Sequence, residues 1–206
     1  MLTKALLLRW ESQTDEDTMD TFLDDLAAEV SWERTTQAWF GIRYMRGEFG
    51  VFTVFPDEAA REAHLKGKSA QKIFSEVHRL VTAEPKATLM EVLAYKLPAE
   101  LPEDSNKGLV LRFKAKSGQE AEVGQLLREA KSWIDGEAGT LAWFAVQYDE
   151  CHFGLFSLFP DNASRFAHLT GRLPRELARQ AFTVLGGMPE MHLVDVMTGS
   201  ARREEA

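Results

Sequence analysis

The chain has 206 residues, 45% of them hydrophobic and 10% aromatic, a length that suits one large domain or two small ones with ample material for a packed core. Its 32 acidic against 24 basic side chains leave a net charge of -8, which excludes the basic footprint that nucleic-acid binding needs. A single cysteine, Cys151, excludes an internal disulfide framework and a cysteine-based zinc cluster, and no apolar run approaches a membrane span or a signal-peptide core, so a folded cytoplasmic protein is expected.

In chain order, Lys4–Trp10 is short and apolar and predicts a strand. From Asp17 to Val30 the apolar residues Met19, Phe22, Leu23, Leu26, Ala27 and Val30 fall at helical spacing. Ala38–Met45 and Phe49–Phe55 are rich in aromatic and β-branched residues and predict two strands, with Arg46-Gly47-Glu48 as the hairpin turn. Pro56-Asp57 stops the second of them, and Asp57 is a good N-cap for the helix that follows. A further helical stretch carries Ile73, Phe74, Val77, Leu80 and Val81, and Pro85 precedes a last strand at Thr88–Tyr95. This β-α-β-β-α-β order is the ferredoxin-like pattern.

The pattern then repeats. Ala38-Trp39-Phe40 returns as Ala142-Trp143-Phe144, Phe55-Pro56-Asp57 as Phe159-Pro160-Asp161, and Ala63-His64-Leu65 as Ala167-His168-Leu169, all at one constant spacing. Half of the positions from Thr35 to Lys68 are identical to their partners from Gly139 to Arg172. The two copies cover 1–97 and 107–200, joined by a polar, proline-bearing linker at 98–106 and followed by a polar tail at 201–206. In Phe49–Phe55 both strand faces are apolar, so neither should meet water. One face is expected under the copy's own helices and the other against the companion sheet, making an α+β single-chain pseudo-dimer.

Phe-Gly-Val-Phe-Thr-Val-Phe-Pro-Asp-Glu-Ala-Ala-Arg-Glu-Ala-His-Leu at 49–65 and its second version at 153–169 resemble the antibiotic biosynthesis monooxygenase family of dimeric α+β barrels. The resemblance spans nearly the whole chain, once per copy. It implies a pseudo-dimeric α+β barrel in one chain and places the family's helix histidine at His64 and His168. The haem-degrading branch has a tryptophan where His64 stands and its iron-ligating histidine where Phe74 stands, so haem degradation is not implied. Other members include cofactor-independent oxygenases acting on polycyclic phenols and enzymes of quinol oxidation, which makes a cofactor-free oxidation of a small aromatic or quinol-like substrate the leading expectation. No flavin, nicotinamide or haem signature is present, and no Gly-rich loop lies between strand and helix to cradle a pyrophosphate. The alternative is a non-catalytic binding protein for a small hydrophobic compound, since a shared fold does not carry a function with it.

His64 and His168 are the histidines that recur in both copies, and a histidine near neutral pH can take a proton from a phenol or enol. A catalytic base should line a cavity of roughly 300 Å³ or more beside a tryptophan wall. A ring packed solid and bonded to a main-chain carbonyl would be structural. Trp39 and Trp143 each share a strand face with a small residue, Gly41 or Ala145, which would leave room for a flat ligand whose oxygens Arg43 or Gln147 could bond. The opposing reading makes the tryptophans filler between sheets. Arg61 and Arg165 follow Asp57 and Asp161 at i, i+4, the spacing of a helical ion pair. Arg9 with Glu91, and Arg112 with Asp195, are expected to face one another on adjacent first and last strands. Neither copy offers a recognisable set of metal ligands, and Cys151 reads as an incidental thiol whose neighbour His152 points away from it. Because the two copies are already joined, a monomer suffices, with pairing of two chains through an outer face left open.

Overall fold

The computed structural model describes residues 1–45, 47–102 and 105–202. Arg46 of the first hairpin turn, Glu103 and Asp104 of the linker, residues 203–206 of the tail, and the side chains of Val77 and His78 lie outside the described residues. The elements are β1 (Lys4–Glu11), α1 (Glu16–Val30), β2 (Ala38–Arg43), β3 (Glu48–Phe55), α2 (Glu58–Leu65), α3 (Lys68–Leu80) and β4 (Lys86–Lys96), then β5 (Lys107–Lys114), α4 (Glu120–Asp135), β6 (Ala142–Gln147), β7 (His152–Phe159), α5 (Asn162–Leu169), α6 (Arg172–Val184) and β8 (Glu190–Ala201). The chain is α+β, and each repeat follows the ferredoxin-like order expected of it, with its connecting helix broken in two.

The chain divides into two compact units that do not coincide with the sequence repeats. Of the described residues, one holds those in 1–89, 99–101 and 194–202, the other those in 90–98 and 102–193. Most of the final strand of each repeat therefore lies in the other repeat's unit. In the first unit β1 pairs antiparallel with β3 from Lys4↔Phe55 to Glu11↔Glu48, and β2 pairs with β3 from Ala38↔Val54 to Arg43↔Phe49. The outer side of β2 is taken by β8, from Ala38↔Ala201 to Arg43↔Asp195, with a bulge between Gly41 and Ile42. Ala201 is thus strand rather than tail, and the Arg202 backbone N–H donates to the Gln37 carbonyl at 2.8 Å. In the second unit the order is β5-β7-β6-β4, with β4 antiparallel to β6 from Glu91↔Gln147 to Lys96↔Trp143.

Hydrophobic patterning explains the core of each unit. Met19, Phe22, Leu23, Leu26 and Val30 of α1 bury one helix face against Leu6, Leu8, Trp39, Phe49, Val51 and Phe55 of the sheet. In the second unit Val123, Leu126, Leu127, Ala130 and Ile134 of α4 do the same against Phe113, Trp143, Phe153 and Leu155. The opposite strand face, with Phe40, Phe52 and Val54, is buried as well, as two apolar faces require. The helix ends obey capping rules: the Asp57 carboxylate accepts from the Ala60 N–H at 2.8 Å, and Asp161 from that of Ser164 at 2.7 Å.

That capping corrects the expected i, i+4 ion pairs. With Asp57 turned to the backbone, Arg61 pairs with Glu58 and donates to the Ala5 carbonyl at 3.2 Å. Arg165 likewise donates to Asn162 at 2.6 Å and to the Gly108 carbonyl at 3.1 Å, so both arginines tie a helix to the first strand of their repeat. Arg9 makes a two-pronged contact with Glu48 on β3, at 2.5 and 2.9 Å, and lies over the Tyr44 ring. Asp195 accepts from Arg43 at 3.1 Å. The Arg9 side chain is 29% exposed, so removing it should cost about 1 kcal/mol rather than the several that a fully buried pair would.

Two glycines are required by close backbone approach. A Cβ on Gly50 would lie 2.6 Å from the Leu8 carbonyl oxygen, and one on Gly154 would lie 2.5 Å from that of Leu111. Gly50→Ala and Gly154→Ala are each expected to destabilise the protein by about 1–3 kcal/mol in urea unfolding. Gly187→Ala, where a Cβ meets nothing within 4 Å, should stay within about 0.5 kcal/mol of the parent.

Candidate functional site

His64 and His168 occupy equivalent places near the ends of α2 and α5, and each is 2% exposed. Neither is bonded to main chain through its ring among the described contacts. The His64 Nδ1 lies 2.5 Å from the Glu33 carboxylate and the His168 Nδ1 lies 2.7 Å from that of Glu137. A carboxylate can only accept here, so Nδ1 carries a proton, and the nitrogen left to offer a lone pair when the ring is neutral is Nε2. In both copies that Nε2 is buried and meets no hydrogen-bond partner. The ring packs at a tilt against a phenylalanine of the neighbouring strand, Phe55 or Phe159, with centroids 5.1 Å apart and planes at 52°.

The glutamates are the residues that sequence reasoning missed, although Glu33 and Thr36 return as Glu137 and Thr140 at the same spacing as the histidines. Thr36 donates to Glu33 at 3.0 Å and Thr140 to Glu137 at 2.7 Å, and each hydroxyl also lies near the imidazole Nδ1, at 3.4 and 3.2 Å. Ser69, in the first turn of α3, donates to the other oxygen of Glu33. The second copy has Leu173 at the position of Ser69, and there Lys96 approaches instead, donating to the Ile134 and Glu137 carbonyls. Burial by itself would raise both carboxyls. The hydrogen bonds from His64, Ser69 and Thr36, or from His168 and Thr140, outweigh it and hold Glu33 and Glu137 below the ordinary glutamate value.

Each pair borders a surface cleft of about 550 Å³. The first is lined by Glu29, Trp32, Glu33, Ala63, His64 and Lys68 among others, the second by Trp133, Glu137, Thr140, Ser164, His168 and Arg172. A tryptophan stands on each wall, but these are Trp32 and Trp133, which the repeat spacing does not relate. Arg172 lies over the Trp133 ring at 4.3 Å. The clefts also share a basic residue at the start of the following helix, Lys68 of α3 or Arg172 of α6.

The other candidates lie elsewhere. Trp39 and Trp143, 1% and 0% exposed, belong to the sheet–helix cores and line neither histidine cleft. The room beside Gly41 is taken by Thr198 and Leu23, within 3.0 and 3.4 Å of where a Cβ would stand. Arg43 spans Glu16 at 2.9 Å and Asp195 at 3.1 Å at the end of β2, and Gln147 lies opposite Phe153 and Glu91. Neither copy brings its polar strand residue to its histidine cleft. His152 does not point away from Cys151: its Nδ1 is 3.4 Å from Sγ, because Cys151 precedes β7 and strand alternation does not apply to it. Partial burial and the Asp149 carboxylate raise the Cys151 thiol, the opposite of an activated nucleophile.

No family model matches the chain, and no curated protein does. Solved structures do. A provisionally named monooxygenase from Fusobacterium nucleatum subsp. nucleatum superposes with a TM-score of 0.85 at 12% identity, over 97% of this chain and 94% of its own. An anthrone oxidase-like protein gives 0.66 at 10% identity, over 99% and 95%. A Listeria monocytogenes ferredoxin-fold protein related to antibiotic biosynthesis monooxygenases gives 0.56 at 9% identity, over 95% of both chains. The resemblance to the antibiotic biosynthesis monooxygenases is thus one of fold, carried across nearly the full length of the chain. Among the described residues no helix is long and apolar enough to cross a membrane.

Both glutamates have folded pKa values below their unfolded ones, so their stabilisation is complete above the unfolded value near 4.5 and is lost as pH falls through the folded value. Stability measured by urea unfolding should therefore decline on acidification below about pH 5. In Glu33→Gln/Glu137→Gln that decline should be shallower. Glu33→Ala should cost about 2–3 kcal/mol at neutral pH, by leaving His64 and Ser69 without their acceptor.

Proposed function

We propose that the protein is a cofactor-independent monooxygenase acting on a small aromatic or quinol-like substrate, with His64 and His168 as the bases. The observation that carries this reading is that in both copies the imidazole is oriented by a carboxylate at Nδ1 while its basic Nε2 is buried without a partner beside a cleft. An unpartnered buried polar atom costs about 1–3 kcal/mol, and this chain carries the same one twice. Proton transfer at Nε2 requires the cleft wall to open or one water to intervene, since the atom itself is out of solvent contact.

In this reading Nε2 removes a proton from an activated CH₂ group flanked by aromatic rings, and Glu33 or Glu137 stabilises the imidazolium that forms. The cationic Lys68 or Arg172 favours the resulting anion. Dioxygen adds to the carbanion to give a peroxide, which regains the proton from the imidazolium. Loss of water across the carbon–oxygen bond then leaves a ketone, so that R₂CH₂ + O₂ becomes R₂C=O + H₂O. The substrate supplies the electrons, and the protein supplies position and a base.

The alternative, a binding protein for a small hydrophobic compound, is favoured by clefts that lie open at the surface. Oxygen uptake with a panel of anthrones and quinols separates the two. On the enzyme reading, His64→Ala and His168→Ala each remove part of the uptake and the double variant loses about 10²–10⁴-fold. Ligand-dependent quenching of tryptophan fluorescence with no oxygen uptake, or a double variant as fast as the parent, would leave the binding reading in its place. Unequal single losses would assign the reaction to one copy.

A further inference from the structure

The second hairpin turn differs from the first in a way that the cleft chemistry does not use. Asp149, Cys151 and His152 offer a carboxylate oxygen, a thiol sulfur and an imidazole nitrogen that all lie within 4.8 Å of one another, the one group of three such donors among the described residues. The Cys151 Sγ is 3.4 Å from the His152 Nδ1, and that same Nδ1 is 2.9 Å from both Asp149 oxygens.

The arrangement discriminates between two chemistries. A nucleophilic cysteine needs its histidine to face the thiol with one ring nitrogen and the carboxylate with the other. Here a single nitrogen faces both, so no proton relay can run through the ring. Three donors of this kind within 4.8 Å of one another are instead close enough to share one ion. Zinc–ligand bonds of about 2.0–2.3 Å at tetrahedral angles put donor atoms about 3.3–3.6 Å apart. The sulfur–nitrogen distance already has that value, and the nitrogen–oxygen distance needs to open by only a few tenths of an ångström.

We propose that the β6–β7 hairpin binds one divalent transition-metal ion of the zinc class through Asp149, Cys151 and the Nδ1 of His152. Thiolate, imidazole and carboxylate together select an ion of intermediate softness, and three protein ligands leave a fourth position for water or another ligand. On binding, the thiol releases its proton to solvent, and the imidazole proton moves to Nε2 so that Nδ1 presents its lone pair. The ligands are held before the ion arrives. The Asp149 carboxylate accepts from the backbone N–H groups of Cys151 and His152 at 2.9 and 2.8 Å. The Cys151 carbonyl accepts from the Ala115 N–H at 2.7 Å, and His152 is paired with Lys114 in the sheet. Glu120 adds negative potential at the sulfur and Lys114 positive. The first copy has Met45, Gly47 and Glu48 at these positions, so the site occurs once per chain.

Titration of the full chain with Co²⁺, followed by absorbance, tests this. The expected result is one cobalt per chain with a thiolate-to-cobalt charge-transfer band in the near ultraviolet, bleached by Zn²⁺. Cys151→Ser should abolish the band. His152→Ala and Asp149→Ala should each weaken cobalt binding at least about 10–100-fold, the loss that even a supporting contact costs. Circular dichroism checks that the three variants keep the parent's fold. Absence of the band at saturating cobalt would overturn the proposal, and so would His152→Ala and Asp149→Ala binding as tightly as the parent. The readout needs no substrate, so it stands or falls separately from the oxygenase reading.

Discussion

A single carboxylate in each repeat joins segments that are far apart in the chain. Glu33 follows α1 by three residues, yet it receives His64 from α2, Ser69 from α3 and Thr36 from the loop before β2. The bend between α2 and α3 depends on this convergence. At Gly67 a Cβ would stand 3.0 Å from the His64 carbonyl and 3.2 Å from the Glu33 carboxylate, so a larger residue would push into the very atoms that meet there. In the second repeat Glu137 joins His168 of α5 and Thr140, with Leu173 in place of the serine of the following helix and Gly171 at the matching bend. The clefts beside the histidines are what remains between these tied segments.

Each such network is polar and largely buried, and its energetics cut both ways. A fully satisfied hydrogen-bonded carboxylate stabilises by roughly 1.5–3 kcal/mol, whereas an unsatisfied buried nitrogen costs a similar amount. The chain carries both at the same imidazole, satisfied at Nδ1 and unsatisfied at Nε2. A purely structural latch has no use for the second feature. Apolar packing could close the same bend without it, and that asymmetry is what supports the proposed role of the two histidines.

The repeats have diverged around this common frame. Ser69 gives way to Leu173 with Lys96 nearby, Lys68 to Arg172 stacked on Trp133, and Met45-Arg46-Gly47-Glu48 to a turn that gathers a carboxylate, a thiol and an imidazole. The scaffold residues Phe55, Pro56, Asp57, Gly50 and Gly67 are retained, because strand termination, capping and close backbone approach tolerate few alternatives.

By itself the sequence determined the repeat, the order of elements, the Asp57 and Asp161 caps and the cores, since these follow from periodicity and local stereochemistry. It also singled out His64 and His168, because identity at a constant spacing is visible without coordinates. The glutamates that orient them carried the same signal but no local motif, and their meaning appears only where α1, α2 and α3 converge. Trp39 and Trp143 were misleading for a physical reason: alternation assigns a strand residue to a face, but what packs on that face is a tertiary fact, and here it is α1 or α4. The final strands were decided at the same level. A strand's alternation is local, but its partner is whichever open edge completes the hydrogen bonding, and for much of β8 that edge belongs to β2 of the first repeat.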